Sequence, residues 1–129
     1  MAGFVDASET VVLQWFYGVG SPTRPTAWHC ALFTTTPTAD AGTGGVEATG
    51  GSYARESFTP TVSTNTMNPS ATVTLTTATA SWGTINGFGI YSDGTSGSLY
   101  NYDDVTTPKA VGDGDTASFG ASDLSVTLD

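Results

Sequence analysis

The spacing of apolar and polar residues changes about a fifth of the way along the chain. From Asp6 to Tyr17, apolar residues recur three and four positions apart, which predicts one short amphipathic helix. Asp6 is the expected N-cap, and Glu9 three residues later completes a capping-box pattern. Gly18 and the glycine and prolines that follow it are expected to end the helix.

The predicted helix carries more apolar side chains than a single packed face requires. Val12, Trp15 and Phe16 form one face at helical spacing, while Leu13 and Tyr17 form a second. A helix that covers a domain needs an apolar stripe about 100° wide, and this arc is wider. We therefore predict that Val12, Trp15 and Phe16 contact another subunit or a partner protein. The alternative is that both faces pack against the chain's own sheet.

Beyond residue 25 the period becomes two, as in β-strands. Trp28–Phe33 is apolar on both faces, which is typical of a strand buried on both sides. Ala71–Leu75 alternates, with threonines on the solvent face. The polar segment Thr59–Ser70, which includes the turn signal Asn68–Pro69, is predicted to be a mobile loop. Seven strands are predicted in all: Trp28–Phe33, Tyr53–Phe58, Ala71–Leu75, Ile85–Tyr91, Ser98–Tyr102, Thr116–Phe119 and Leu124–Leu128.

These elements predict a mainly β fold. We expect an antiparallel β-sandwich or jelly-roll-like barrel of about seven strands with one short N-terminal α-helix. Residues 1–25 would form the N-terminal helix and connecting arm, and residues 26–129 the β-sandwich domain. A length of 129 residues suits this organisation, because it leaves no room for two domains of ordinary size.

The charge balance narrows the choice of partners. The chain has three basic and twelve acidic residues, for a net charge of −9. So few cations cannot neutralise a run of phosphates, which argues against nucleic acid and against an anionic membrane surface. The N-terminus lacks the basic and apolar regions of a signal peptide, and no apolar stretch is long enough for a membrane span.

The residues that usually carry catalysis are scarce and unfavourably placed. His29 is the only histidine and Cys30 the only cysteine. Neighbours on a strand point to opposite faces, so these two side chains should diverge rather than form a nucleophile–base pair. One cysteine and one histidine are too few for a zinc site, and we expect Cys30 to be a buried small hydrophobe. We therefore predict no enzyme activity, no catalytic residues and no cofactor.

Two weaker candidates for ligand binding remain. Asp103–Asp104 with Asp113 and Asp115 could gather oxygens around Ca²⁺, although their spacing does not match an EF-hand and turn residues are the simpler interpretation. We therefore predict no metal site. Tyr91, Tyr100 and Tyr102 could line a shallow sugar platform, although such sets more often belong to a core or an interface.

The sequence resembles a family of small structural proteins of tailed bacteriophages over nearly its whole length. The resemblance is carried, in order, by Ala31–Thr38, Gly50–Glu56, Ala78–Thr84, Phe88–Tyr91, Thr106–Val111, Gly114–Phe119 and Leu124–Asp129. It implies a virion protein with a short helix ahead of a β-sandwich, in a family that includes head decoration, head-fibre and tail-fibre-like proteins. It brings no catalytic residues to carry over. Gly18–Pro25 and the unpaired Cys30 depart from the family pattern.

Our leading hypothesis at this point is a capsid decoration (cement) protein on the outer surface of the phage head. It would bind the major capsid protein and itself, as a homotrimer at three-fold positions, and stabilise the lattice by multivalent burial. The first alternative is a head- or tail-fibre component that contacts the host. The second is a carbohydrate-binding β-sandwich module. The low share of charged side chains fits a subunit that hides much of its surface.

Overall fold

The computed structural model describes residues 3–128, which form one helix and eleven short strands. The mainly β prediction is confirmed, and the helix has the predicted limits. In chain order the elements are β1 (Gly3–Phe4), α1 (Asp6–Tyr17), β2 (His29–Thr35), β3 (Val46–Glu47), β4 (Glu56–Ser57), β5 (Pro60–Ser63), β6 (Thr66–Pro69), β7 (Val73–Thr74), β8 (Gly83–Tyr91), β9 (Leu99–Val111), β10 (Ser118–Phe119) and β11 (Val126–Thr127). No helix within this range is long and apolar enough to cross a bilayer.

The strands form one main sheet and two small ones, with antiparallel pairing throughout. The main sheet has the order β1-β9-β8-β2-β3, and β4 also pairs with β2. β10 pairs with β7, and β11 joins the β5–β6 hairpin. These small sheets lie against one face of the main sheet, which gives the predicted sandwich-like arrangement.

The core lies between these layers in two neighbouring clusters. In the first, Cys30, Phe88 and Ile90 of the main sheet pack with Val73 and the chain's last strand. The second cluster includes Leu32, Ile85, Leu75, Ala78, Trp82 and Val111. Because Cys30, Ala31, Leu32 and Phe33 are all at most 2% exposed, β2 is buried on both faces, as its unbroken apolar run predicts.

Two glycines of β8 allow an aromatic ring to lie close on the other face of the sheet. Ala31 and Phe33 of β2 pair with Gly89 and Gly87 of β8. A Cβ atom on Gly89 would lie 2.6 Å from Cε2 of Phe33, and one on Gly87 would lie 2.2 Å from Oγ1 of Thr36. The absence of side chains at these positions therefore lets Phe33 and the following segment cover the sheet.

The start of the helix differs from the predicted capping box. The N-cap is Val5, which makes no side-chain capping bond, and Asp6 is already inside the helix. Val5 is 2% exposed, and its backbone N–H donates to the carbonyl of Tyr100 at 2.9 Å. Burial of Val5 thus fixes where the helix begins, while Asp6 and Glu9 remain in the first turn, where the helix dipole favours acidic groups. At the other end, Gly18 takes a left-handed conformation, as predicted.

The prediction of a mobile loop over Thr59–Ser70 is wrong. Most of this segment is the β5–β6 hairpin, and Asn68–Pro69 lies in β6 rather than in a turn. β11 extends the hairpin, and Asn65 bonds through both its backbone and its side chain with Leu128, at 2.9 and 2.7 Å. The segment is polar because much of it is exposed, so its sequence lacks the apolar alternation that marks a strand.

The ninth strand is longer than predicted and is interrupted by a large bulge. It continues from the expected Ser98–Tyr102 region to Val111. Its pairing with β8 jumps from Asp104, opposite Gly87, to Lys109, opposite Ile85. The extra residues place Pro108 and Lys109 along an edge that, within residues 3–128, pairs only with β1 at Asn101 and Tyr102.

A hydrogen-bond network around Arg55 closes the end of the main sheet where β3 and β4 meet β2. Nε and Nη2 of Arg55 donate to the two carboxylate oxygens of Glu47, each at 2.8 Å. Nη1 donates to the carbonyls of Asp93 and Ser96 in the β8–β9 turn, at 2.9 and 2.7 Å. The guanidinium carbon lies 3.6 Å from the ring centroid of Tyr91. The planar fork of arginine satisfies all these contacts at once, which an ammonium group cannot do.

Tyr53 connects the same network to the centre of β2. Its hydroxyl donates to Glu47 at 2.8 Å and accepts the backbone N–H of Leu32 at 3.0 Å, in the gap between β3 and β4. Burial raises the pKa of Tyr53, so its proton stays in place for Glu47. Burial would raise the pKa of Glu47 as well, but the hydrogen bonds from Arg55 and Tyr53 and the charge of Arg55 together lower it below 4.5.

We expect Arg55→Lys to destabilise the fold by about 2 kcal/mol, because lysine keeps the charge but loses the paired bonds and the ring contact. Thermal melting should show a fall of several degrees. Arg24 lies exposed in the arm, so Arg24→Lys is the matched control and should melt with the wild type. Equal melting temperatures for the two variants would contradict a structural role for the Arg55 fork.

The network should also make stability depend on pH. Since folding lowers the pKa of Glu47, its ionised form stabilises the fold above the ordinary value of 4.5, and this stabilisation is lost as the pH falls through the folded-state pKa. Glu47→Gln should therefore be less stable than the wild type at neutral pH, and the difference should shrink in acid. Chemical denaturation over that pH range measures it, and a constant difference would contradict the assignment.

Candidate functional site

The helix is attached to the domain at its beginning and exposed at its end. Val5 and Ser8 are buried, and β1 just before them pairs with β9. From Val12 onward the apolar side chains have little cover from the rest of the chain. The last two turns of the helix therefore present a surface that the domain itself does not use.

We call this surface the helix patch. Its members are large apolar side chains that are between 40% and 72% exposed: Val12, Leu13, Trp15, Phe16, Tyr17 and Val19. The rings of Phe16 and Tyr17 meet edge to face, with centroids 5.3 Å apart. A contiguous exposed apolar patch of this kind marks an interaction surface in a soluble domain.

The predicted interface residues Val12, Trp15 and Phe16 all lie in the helix patch. The alternative, in which both helix faces pack on the chain's own sheet, is wrong, because Leu13 and Tyr17 are exposed as well. Sequence reasoning missed Val19, which follows the helix stop. The signal that could have included Val19 was the absence of charge, since residues 10–23 contain no charged side chain. That these residues contact a partner stays a prediction.

An apolar groove of about 470 Å³ lies beside the first half of the helix. The lining runs from the buried Ile90 and Val126 to the exposed rims at Val12 on the helix and Val62 on the β5–β6 hairpin. Trp28 and Tyr100 complete its apolar wall. Among residues 3–128, no charged side chain lines the groove. It was not predictable from local sequence, because it joins residues from six separate segments.

The three tyrosines proposed as a sugar platform lie in different environments. Tyr100 lines the groove, Tyr91 lies beneath Arg55, and the hydroxyl of Tyr102 donates to the carbonyl of Ala39 at 2.9 Å. The cause is a bulge in β9, where Tyr100 is an extra residue between Leu99, which pairs with Tyr91, and Asn101, which pairs with Ile90. The structure therefore does not bring these rings together on one surface.

The acidic residues considered for Ca²⁺ are also divided. Asp103 and Asp104 lie within β9, not in a turn, while Asp113 and Asp115 lie in the turn that follows Val111. Asp115 accepts the backbone N–H of Gly112 at 2.8 Å, as turn aspartates commonly do. Asp104 and Asp115 both line a polar cleft of about 700 Å³. Nowhere in residues 3–128 do three His, Cys, Asp or Glu residues form a group that could hold a metal ion.

The histidine and the cysteine point to opposite faces of β2, as predicted. His29 pairs with Tyr91, and the adjacent Cys30 pairs with Ile90. Cys30 is fully buried in the core, where burial, together with the nearby charge of Glu56, raises the pKa of its thiol to about 12. A thiol in this state is inert, so the prediction of a buried small hydrophobe is confirmed.

Comparison with known proteins gives one family match. The family model described as podophage GP4 fiber I protein gp80 matches residues 3–127. No curated protein matches the chain. The matched range includes the helix, the groove and all the strands.

We expect Trp15→Glu to fold as the wild type does, because Trp15 is 69% exposed and its removal leaves no cavity. The melting temperature should change by no more than that of the control Val46→Glu, an exposed valine on β3. Trp82→Glu, at a residue only 2% exposed, should prevent folding. Loss of folding in the Trp15 variant would place the helix patch in the domain's own core.

Proposed function

The chain belongs to the podophage GP4 fiber I protein family, and we propose that this phage virion structural protein is a non-enzymatic component of a fibre. The match over residues 3–127 is the observation that carries this proposal. It favours the fibre alternative over capsid decoration, since the family's description refers to a fibre. In this proposal the β-sandwich is the body of the subunit and the helix patch fixes it to its neighbours.

The distribution of surface character supports a subunit built into an assembly. Among the described residues, the helix patch and the groove carry no charged side chain, whereas the turns Asp93–Gly94 and Gly112–Asp115 carry three of the twelve acidic groups. A subunit with a net charge of −9 meets its neighbours most easily where that charge is absent. The charged turns then remain exposed to solvent.

Capsid decoration remains the competing proposal. It predicts contacts with the major capsid protein, a homotrimer at three-fold positions, and a location over the whole outer surface of the head. Its support is the composition of the chain, with few charges and many threonines. That composition suits a fibre subunit equally well, so only location and copy number separate the two proposals.

We expect gold-labelled antibodies against this protein to mark discrete sites on purified virions, where fibres attach. Quantitative mass spectrometry of the same particles should give few copies relative to the major capsid protein. An antibody against the major capsid protein, used in parallel, gives the labelling pattern of a head-wide protein. Labelling over the whole head, with a copy number close to that of the capsid protein, would instead favour decoration.

A further inference from the structure

We propose that the apolar groove of each copy holds the helix patch of a neighbouring copy, with Trp15 and Phe16 as the inserted side chains. The chain would then assemble with itself by exchanging helix ends. This inference names the partner of the helix patch. It holds whether the assembled protein is a fibre component or a decoration protein.

A helix patch that enters the groove must come from another molecule. Ala7, Ser8 and Val11, on the first half of the helix, form part of the groove wall. A continuous helix of 12 residues is rigid, and Trp15 and Phe16 lie on the turn beyond the groove and outside its lining. The chain therefore cannot fold its own helix end back into its own groove.

Charge favours a partner whose contacting surface is itself uncharged, and the helix patch of a second copy is such a surface. In the part of the chain that the structure describes, the groove lining contains no Asp, Glu, Lys or Arg, and residues 10–23 contain none either. With a net charge of −9, two copies repel each other through most other contacts. Because the groove and the helix patch are both free of charge, docking one into the other avoids this repulsion and leaves no charge buried without a partner.

The exposed aromatic rings supply a substantial part of the area that a stable interface needs, and the two surfaces adjoin each other. Trp15, Phe16 and Tyr17 are each about 70% exposed, and aromatic side chains of this kind together expose about 400 Å². This is half of the roughly 800 Å² per partner that a stable interface buries, before Leu13, Val19 and the groove rim are included. Val12 belongs to both surfaces, so the contact is continuous when the helix patch of a neighbour enters the groove.

The number of copies depends on how the neighbouring copies are rotated relative to one another. If two copies insert their helices into each other, the contact is symmetric and a dimer results. If each copy inserts into the next, a ring closes when the rotation between copies allows it. In both cases the aromatic residues of the helix are the main energetic contributors, as tryptophan and tyrosine commonly are at interface centres.

Sedimentation velocity of the full chain over a wide concentration range tests the proposal. The wild type should sediment as a closed oligomer, and Trp15→Glu and Val62→Glu should each weaken its association at least about tenfold. Val62 is 73% exposed on the groove rim, and Val62→Ser provides a milder second variant should glutamate disturb the hairpin. Val46→Glu introduces the same charge at an exposed valine outside both surfaces and should leave the oligomer intact.

A cross-linking experiment tests the specific contact. Trp15→Cys and Val62→Cys variants are mixed and treated with a short bis-maleimide, while the buried Cys30 stays unreactive. Efficient linkage between the two variants, with little in either variant alone, supports insertion of the helix into a neighbour's groove. A monomeric wild type, an oligomer that survives both glutamate variants, or linkage confined to Trp15→Cys alone would each overturn the proposal.

Discussion

The guanidinium group of Arg55 is the contact on which one whole end of the sandwich depends. β3, β4 and the β8–β9 turn are too short to hold their positions through backbone pairing alone. Arg55 bonds to Glu47 in β3 and to two carbonyls of the turn, while its own position lies next to β4. In a chain with three basic residues, this one arginine supplies the fork that several short segments share.

The rest of the fold follows from covering a sheet that is apolar on both faces. One face packs on the small sheets around Leu124 and Val73, and the other is covered by Phe33 and the segment after β2, over the glycines of β8. Threonine serves at the periphery, where hydroxyl pairs such as Thr66–Thr127 and Thr77–Thr116 link neighbouring segments at 3.0 and 2.7 Å. Such hydroxyl bonds and tight turns satisfy many polar groups without charged side chains.

Local sequence predicted the elements whose pattern reflects burial. The helix was predicted with its correct limits, and β2 was identified as buried on both faces, because apolar spacing reports directly on these features. The prediction of Asp6 as the N-cap was wrong, because the burial of Val5 outweighed the capping propensity of Asp6. The β5–β6 hairpin was missed because its strands are polar and exposed. The helix patch was predictable in part, but the groove was not, since it exists only after distant segments meet.

The large bulge in β9, between Asp104 and Lys109, has a consequence for how copies of the protein can join. A long, straight edge strand lets sheets join from copy to copy, and such growth has no natural end. Here the extra residues before Lys109 interrupt the regular pairing of the strand, and Pro108 has no backbone N–H to donate. Sheet extension from copy to copy is thus unfavourable along this part of the edge. Packing of faces, which ends at a definite size when the contacts close, is favoured there instead.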